Sequence, residues 1–86
     1  MISLGNDEFW LMYYALPGDV RAKARQAYQL FLRDPDHPSL RFKKLQGARN
    51  IWSVRFGGDH RAVCERFGDR VEWLWIGTRQ SFGKDF

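Results

Sequence analysis

Two arginines, Arg55 and Arg61, flank the turn Gly57-Gly58-Asp59 within the run WSVRFGGDHRA, Trp52 to Ala62. Both stand in segments that alternate as strands do, so each guanidinium projects from a face of one β-hairpin. Guanidinium groups hydrogen-bond phosphate and carboxylate in a two-pronged fashion, and two of them side by side repel until an anion joins them. The chemistry such a pair suits is the holding and neutralising of a phosphate or a carboxylate. Glu65 alternates onto the Arg61 side of its segment and His60 stands in the turn, which makes them the candidates for moving a proton, along with Lys44. Paired with Glu65 across the strands, the same arginines would instead be ordinary solvated residues.

The bulk numbers are consistent with an anionic partner. The chain has 86 residues, a net charge of +4 and a sequence pI near 9.6, with arginine supplying most of the charge. Its single cysteine, Cys64, excludes an internal disulfide, and alternation sends it toward the apolar side as a small buried group. One cysteine and two distant histidines, His37 and His60, are not a zinc ligand set, so neither a metal nor a cofactor is expected. No charged-then-apolar leader opens the chain and no run approaches the ~18 apolar residues of a membrane span. The expectation is one soluble, intracellular domain over residues 1–86, without a membrane partner. Aromatic residues, 16% of the chain, supply the large buried areas that so short a domain needs.

Those site residues must be positioned by the following elements. Asn6-Asp7 caps a helix reaching about Leu16, with Phe9, Met12, Tyr13 and Leu16 on its buried face. Pro17-Gly18 breaks it, and Asp19 stands at the start of a second helix with the apolar stripe Val20, Ala24, Ala27 and Phe31, flanked by Tyr28. That helix ends before Asp34-Pro35-Asp36-His37-Pro38. Ile51 to Phe56, Arg61 to Phe67 and Val71 to Ile76 then read as strands separated by glycine turns, and Met1 to Leu4 could add an edge strand. The predicted fold class is α+β: an N-terminal two-helix hairpin packed on a small antiparallel meander sheet. Trp52, Val54 and Phe56 share the helix side with Ala62 and Cys64, leaving Ser53, Arg55, Arg61, Val63 and Glu65 on the other. The third strand is apolar on both sides, with Leu74 and Ile76 on one and Val71, Trp73 and Trp75 on the other, which calls for a second covering layer.

In this order, HPSLRFKKL (with Lys44-Leu45-Gln46-Gly47), WSVRFGGDHRA and VEWLWIGTR resemble the RelE/ParE superfamily, the toxins of bacterial type II toxin–antitoxin pairs, often labelled plasmid-stabilisation proteins. The resemblance covers nearly the whole chain. It implies a RelE-like fold, a bacterial cytoplasmic protein, a cognate antitoxin partner, and one of two targets. RelE-like members are mRNA interferases, ribosome-dependent endoribonucleases that cut messenger RNA; ParE-like members inhibit DNA gyrase without cutting RNA. A catalytically degenerate toxin that only binds its antitoxin is a third outcome. By the same resemblance Arg55, Arg61 and Arg79 match the phosphate-binding and catalytic positions, with Glu65 as an acid–base candidate. Lys43 and Lys44 correspond to the basic residues of the family's Lys-Leu element and would bind RNA, and His60, by its place in the turn, is a further RNA-binding candidate. The antitoxin would cover the Trp73/Trp75 face, an antitoxin-binding surface, or else the helical hairpin. Active relatives carry a tyrosine a few residues beyond the final strand; this chain has Phe82 there and Phe86 at its end. Phenylalanine stacks on a base but transfers no proton.

Overall fold

A computed structural model describes residues 2–45, 47 and 49–85; Met1, Gln46, Ala48 and Phe86 lie outside the described residues. The elements run β1 (Ile2–Gly5), α1 (Asp7–Ala15), α2 (Gly18–Arg33), a 3₁₀ turn (Pro38–Leu40), β2 (Lys43–Lys44), β3 (Ile51–Phe56), β4 (His60–Phe67), β5 (Arg70–Thr78) and α3 (Arg79–Asp85). The five strands form one sheet in the order β1-β5-β4-β3-β2. Pairing is antiparallel except at β1, which lies parallel to β5. The architecture is the expected α+β one, with a mixed sheet in place of a purely antiparallel meander.

The helical layer forms for the reasons its sequence states. The Asn6 side chain accepts a hydrogen bond from the Phe9 amide at 2.7 Å, satisfying one of the free donors at the start of α1. Arg21, from the first turn of α2, donates to the Leu16 carbonyl at 2.6 Å and so caps the C-terminal end of α1 with a cation. Arg25 donates to the Tyr13 hydroxyl at 3.1 Å, a second tie across the helical pair. The core lies between these helices and one face of the sheet. Phe9, Phe31, Leu40, Val54, Phe56, Ala62, Cys64, Val71, Trp73 and Ile76 are buried there, with Met12, Tyr13, Leu16, Val20, Ala24 and Ala27 packed around them. The helix faces read from apolar periodicity are the faces that bury.

Alternation predicts β3 and β4 correctly but fails in β5, and the cause is a bulge. Cys64 pairs with Trp73 and Val63 with Trp75, so Leu74 has no partner in β4 and the strand's facing switches there. Trp73 therefore turns into the core with Val71 and Ile76, its ring 5.6 Å from Phe31 and 6.2 Å from Phe9. Trp75 turns to the opposite face. The common Trp73/Trp75 surface expected from the sequence does not form, and Trp73, 7% exposed, is core.

Burial pushes the Cys64 thiol up to about 12 from its ordinary 9.0, against the opposing pull of Arg66. The folded chain then keeps a proton that the unfolded chain releases near 9, so this contribution to stability is complete below pH 9 and is lost as pH rises toward 12. Native protein at pH 8 is expected to leave an aromatic disulfide reagent unreacted, with one thiol titrating only in denaturant. Reaction of the native protein at a free-thiol rate would contradict this burial.

Candidate functional site

The hairpin ladder brings the arginines together. Arg55 and Arg61 are direct cross-strand partners, and the partner of Arg61 on its other side is Gly77, two residues before Arg79. Directly opposed residues share a face, so both side chains leave the sheet on the side away from the helices, with Arg55 at the open edge of β3 near the Pro38–Leu40 turn. Arg79 is fixed by its amide, which donates to the Asp59 carbonyl at 2.6 Å and ties the end of β5 to the β3–β4 turn. Gly57 and Gly58 make that turn possible, with φ of 62° and 81°.

The floor beside Arg61 is aromatic. A Cβ on Gly77 would stand 2.8 Å from the Trp75 indole, so the missing side chain is what lets that ring lie across the strand. Phe82 of α3 packs 6.2 Å from Trp75, and its ring centre lies 5.4 Å from the Arg61 guanidinium carbon, within cation–π range. The helix that carries Phe82 was not expected from the sequence. Its start signal is Thr78, whose hydroxyl accepts from the Ser81 amide at 3.1 Å.

Arg61 sits in an unneutralised environment. Its Nη1 is buried without a hydrogen-bond partner among the described residues. Burial first, then the charges of Arg79, Arg55 and Arg41, hold its pKa below the ordinary guanidinium range. The one ion pair among the described residues is elsewhere, joining Arg49 to Glu65. A desolvated cation facing three others has an unmet demand for an anion, which a phosphate fork fits in charge and geometry.

The remaining predicted residues divide. Glu65 is four residues along β4 from Arg61, opposite Ile51 and held by Arg49, so it stands outside the arginine group and its assignment as acid or base is withdrawn. His60 lies on the helix side, stacked on Phe56 at 5.4 Å. Lys44 is opposite Trp52 and Lys43 opposite Ser53, so Lys43, and not Lys44, shares the face of Arg55. The residue that sequence reasoning missed is Arg41, a non-glycine residue at φ 46° just after the 3₁₀ turn. Its charge reaches Arg61 from within the HPSLRFKKL run, in which only the lysines were assigned a role.

On the helical side, an apolar cleft is lined by residues including Phe9, Trp10, Tyr13, Tyr28 and Phe31. Leu11 and Tyr14 stand beside it on α1, 73% and 68% exposed. Large apolar side chains left in water at this density mark a surface that meets a partner.

Comparison with known proteins places this geometry. A family model described as a ParE-like toxin domain matches residues 18–84. Among solved structures, the chain is similar to the RelB–RelE antitoxin–toxin complex of Methanococcus jannaschii, with 21% identity, 96% of this chain and 98% of that one covered, and a TM-score of 0.75. It is similar to the isolated RelE toxin of E. coli, with 13% identity, 98% and 93% covered, and a TM-score of 0.70. It is also similar to the YoeB/ParE toxin of Agrobacterium tumefaciens, with 21% identity, 91% and 98% covered, and a TM-score of 0.68. No curated protein matches it in sequence.

An anion that binds the folded arginine group stabilises it by mass action. Adding sulfate at fixed ionic strength is expected to raise the Tm of the wild-type protein by a few degrees. Arg61→Gln removes a half-buried like charge, so it is expected to start from an equal or higher Tm and to gain little from sulfate. An equal sulfate gain in both proteins would place the anion elsewhere.

Proposed function

This chain belongs to the ParE-like toxin domain family, within the RelE/ParE superfamily of toxin–antitoxin systems, and on that premise we propose that it is a ribosome-dependent messenger RNA endoribonuclease. The observation that carries the reading is the arginine group: Arg55 opposite Arg61, Arg79 tied beside them, and no carboxylate pairing with any of the three among the described residues. Cleavage by the ribose 2′-oxygen forms an O2′–P bond and breaks the P–O5′ bond, leaving a 2′,3′-cyclic phosphate and a 5′-hydroxyl. The phosphorane between them carries more negative charge than the starting diester. Guanidinium groups fixed in advance around that position bind the phosphorane more strongly than the diester, and this difference is the catalysis. Arg61, the most desolvated of the set, takes the non-bridging oxygens with Arg55; Arg79 approaches from the end of β5. Trp75 and Phe82 offer ring faces against which a base stacks. Lys43, on the same face, attracts the strand as it enters.

The proton of the 2′-hydroxyl is not given to His60, which lies across the sheet, or to Glu65, which is held by Arg49. In this reading water or hydroxide removes it, and cutting accelerates with pH across 6 to 9 without a plateau. The same observation favours a second reading, a ParE-like inhibitor that binds DNA gyrase and transfers no proton.

The antitoxin belongs on the opposite side of the molecule. With Trp73 in the core, the apolar surface left for it is the helical one, around Trp10, Leu11, Tyr14 and Tyr28. An amphipathic segment laid on that surface would cover the exposed rings as a helix-in-groove partner does.

Primer extension on messenger translated with purified ribosomes separates the readings. Discrete cuts are expected with the wild-type protein, reduced about a hundredfold or more by Arg61→Ala, on the scale of losing one oxyanion-binding donor. Undiminished cutting by Arg61→Ala would remove Arg61 from the mechanism. Inhibited gyrase supercoiling with no RNA cuts would replace the nuclease reading with the second one.

A further inference from the structure

A second basic surface adjoins the arginine group. Between α2, the Pro38–Leu40 turn and the β3–β4 hairpin lies a cleft of about 600 Å³, in the range of ligand-binding pockets. Its polar lining is Lys23 and Gln26 from α2, Ser39 and Arg41 from the turn, and Arg55 from β3. The cleft opens because β2 is only two residues long and pairs with Trp52 and Ser53, so the edge of β3 is uncovered at Arg55. Arg55 therefore belongs to both surfaces: it lines this cleft and is the cross-strand partner of Arg61.

We propose that this cleft holds a second phosphate of the same single-stranded polynucleotide whose scissile phosphate lies at Arg61, with Arg41 and Lys23 as its ligands and Arg55 as the bridge between the two positions. The inference rests on the phosphate role given to Arg61.

Two features set the cleft apart from a chance cluster of surface cations. Arg41 adopts φ 46°, ψ 46°, a left-handed conformation that glycine takes without cost and arginine does not. Such strain in a non-glycine residue gathers at functional sites, and here the residue that bears it lines the cleft with Lys23 and Arg55. The field of Arg41 is one of those that lower the Arg61 pKa, so a ligand touching one cation is felt at the other. Lys23 is likewise placed by packing: a Cβ on Gly57 would come within 3.2 Å of its Cδ, so the lysine stem runs against the bare turn. Leu30 and Leu40 line the same cleft and offer apolar wall to a sugar or base.

A chain of phosphates bridges the cleft and the Arg61 group; an isolated anion reaches only one of them. The test therefore compares lengths of strand. Fluorescence anisotropy would follow binding of 2′-O-methyl RNA, which lacks the attacking hydroxyl and persists, as a dinucleotide and as a hexanucleotide. Arg41→Gly removes the charge while suiting the backbone, so its Tm is expected to equal or exceed that of the wild type. It is expected to weaken the hexanucleotide about five- to tenfold, to lower the slope of log affinity against log salt by about 0.7, and to weaken the dinucleotide less than about twofold, through the field of the lost charge alone. Arg41→Lys should retain most of the hexanucleotide affinity, and Arg61→Ala should weaken both lengths. Unchanged hexanucleotide binding by Arg41→Gly overturns the inference while leaving the Arg61 reading in place. So does equal weakening of both lengths, which would place Arg41 at the scissile phosphate. Loss of antitoxin affinity with hexanucleotide binding intact would give the cleft to an acidic protein segment instead. Wild-type protein that binds neither length overturns the nucleic-acid reading itself, and this inference with it.

Discussion

Two like charges are held opposite one another by the backbone of one hairpin, and the rest of the site follows from that constraint. Arg55 and Arg61 cannot be moved to different faces, because the ladder that pairs them also pairs Val54 with Ala62 in the core and Phe56 with His60. Slipping the register to relieve the repulsion would move every apolar side chain to the wrong face. The repulsion is therefore stored in the fold, and Arg79 and Arg41 add to it from either side. Among the described residues no acidic side chain pairs with this group. Stability and function pull in opposite directions at such a position, as they do at many functional sites.

The two faces of the sheet divide the labour. One face builds the molecule: α1 and α2 close over Phe31, Val54, Cys64 and Trp73 and leave their own outer apolar residues uncovered. The other face carries charge and rings. The bulge at Leu74 serves both, since it sends Trp73 into the core and Trp75 to the arginine side within three residues. A regular strand would have put both indoles on one face. Gly77 completes the device by leaving room for the Trp75 ring beside Arg61.

How much of this was readable from sequence depends on which physical signal each residue leaves. Helix faces and the β3–β4 pairing were legible because period 3.6 and period 2 survive intact there, and the glycine turn fixes which residues oppose each other. The placement of Arg55 and Arg61 on one face came from that alone. The β5 faces were not legible, because a single extra residue leaves no mark in composition and reverses the alternation after it. The parallel pairing of β1 depends on contacts between residues about seventy apart, such as Ile2 with Arg70, which local pattern cannot report. Lys43 and Lys44 are adjacent in sequence, and only the register against Ser53 and Trp52 decides which faces the arginines. Arg41 was hidden by its setting, since a left-handed arginine after a proline turn looks like any other loop residue. The family resemblance gave the superfamily and the arginine positions; it gave neither Arg41 nor the removal of Glu65 from the site.

The central claim is that Arg55, Arg61 and Arg79 act as one anion site. Arginine side-chain NMR, following the Nε–H signals during titration with a dinucleoside phosphate, tests it most directly. The account predicts that the signals of these three residues shift together with one midpoint while those of Arg33 and Arg70, away from the site, stay still. Shifts confined to one of the three, or spread evenly over all the arginines, would contradict it.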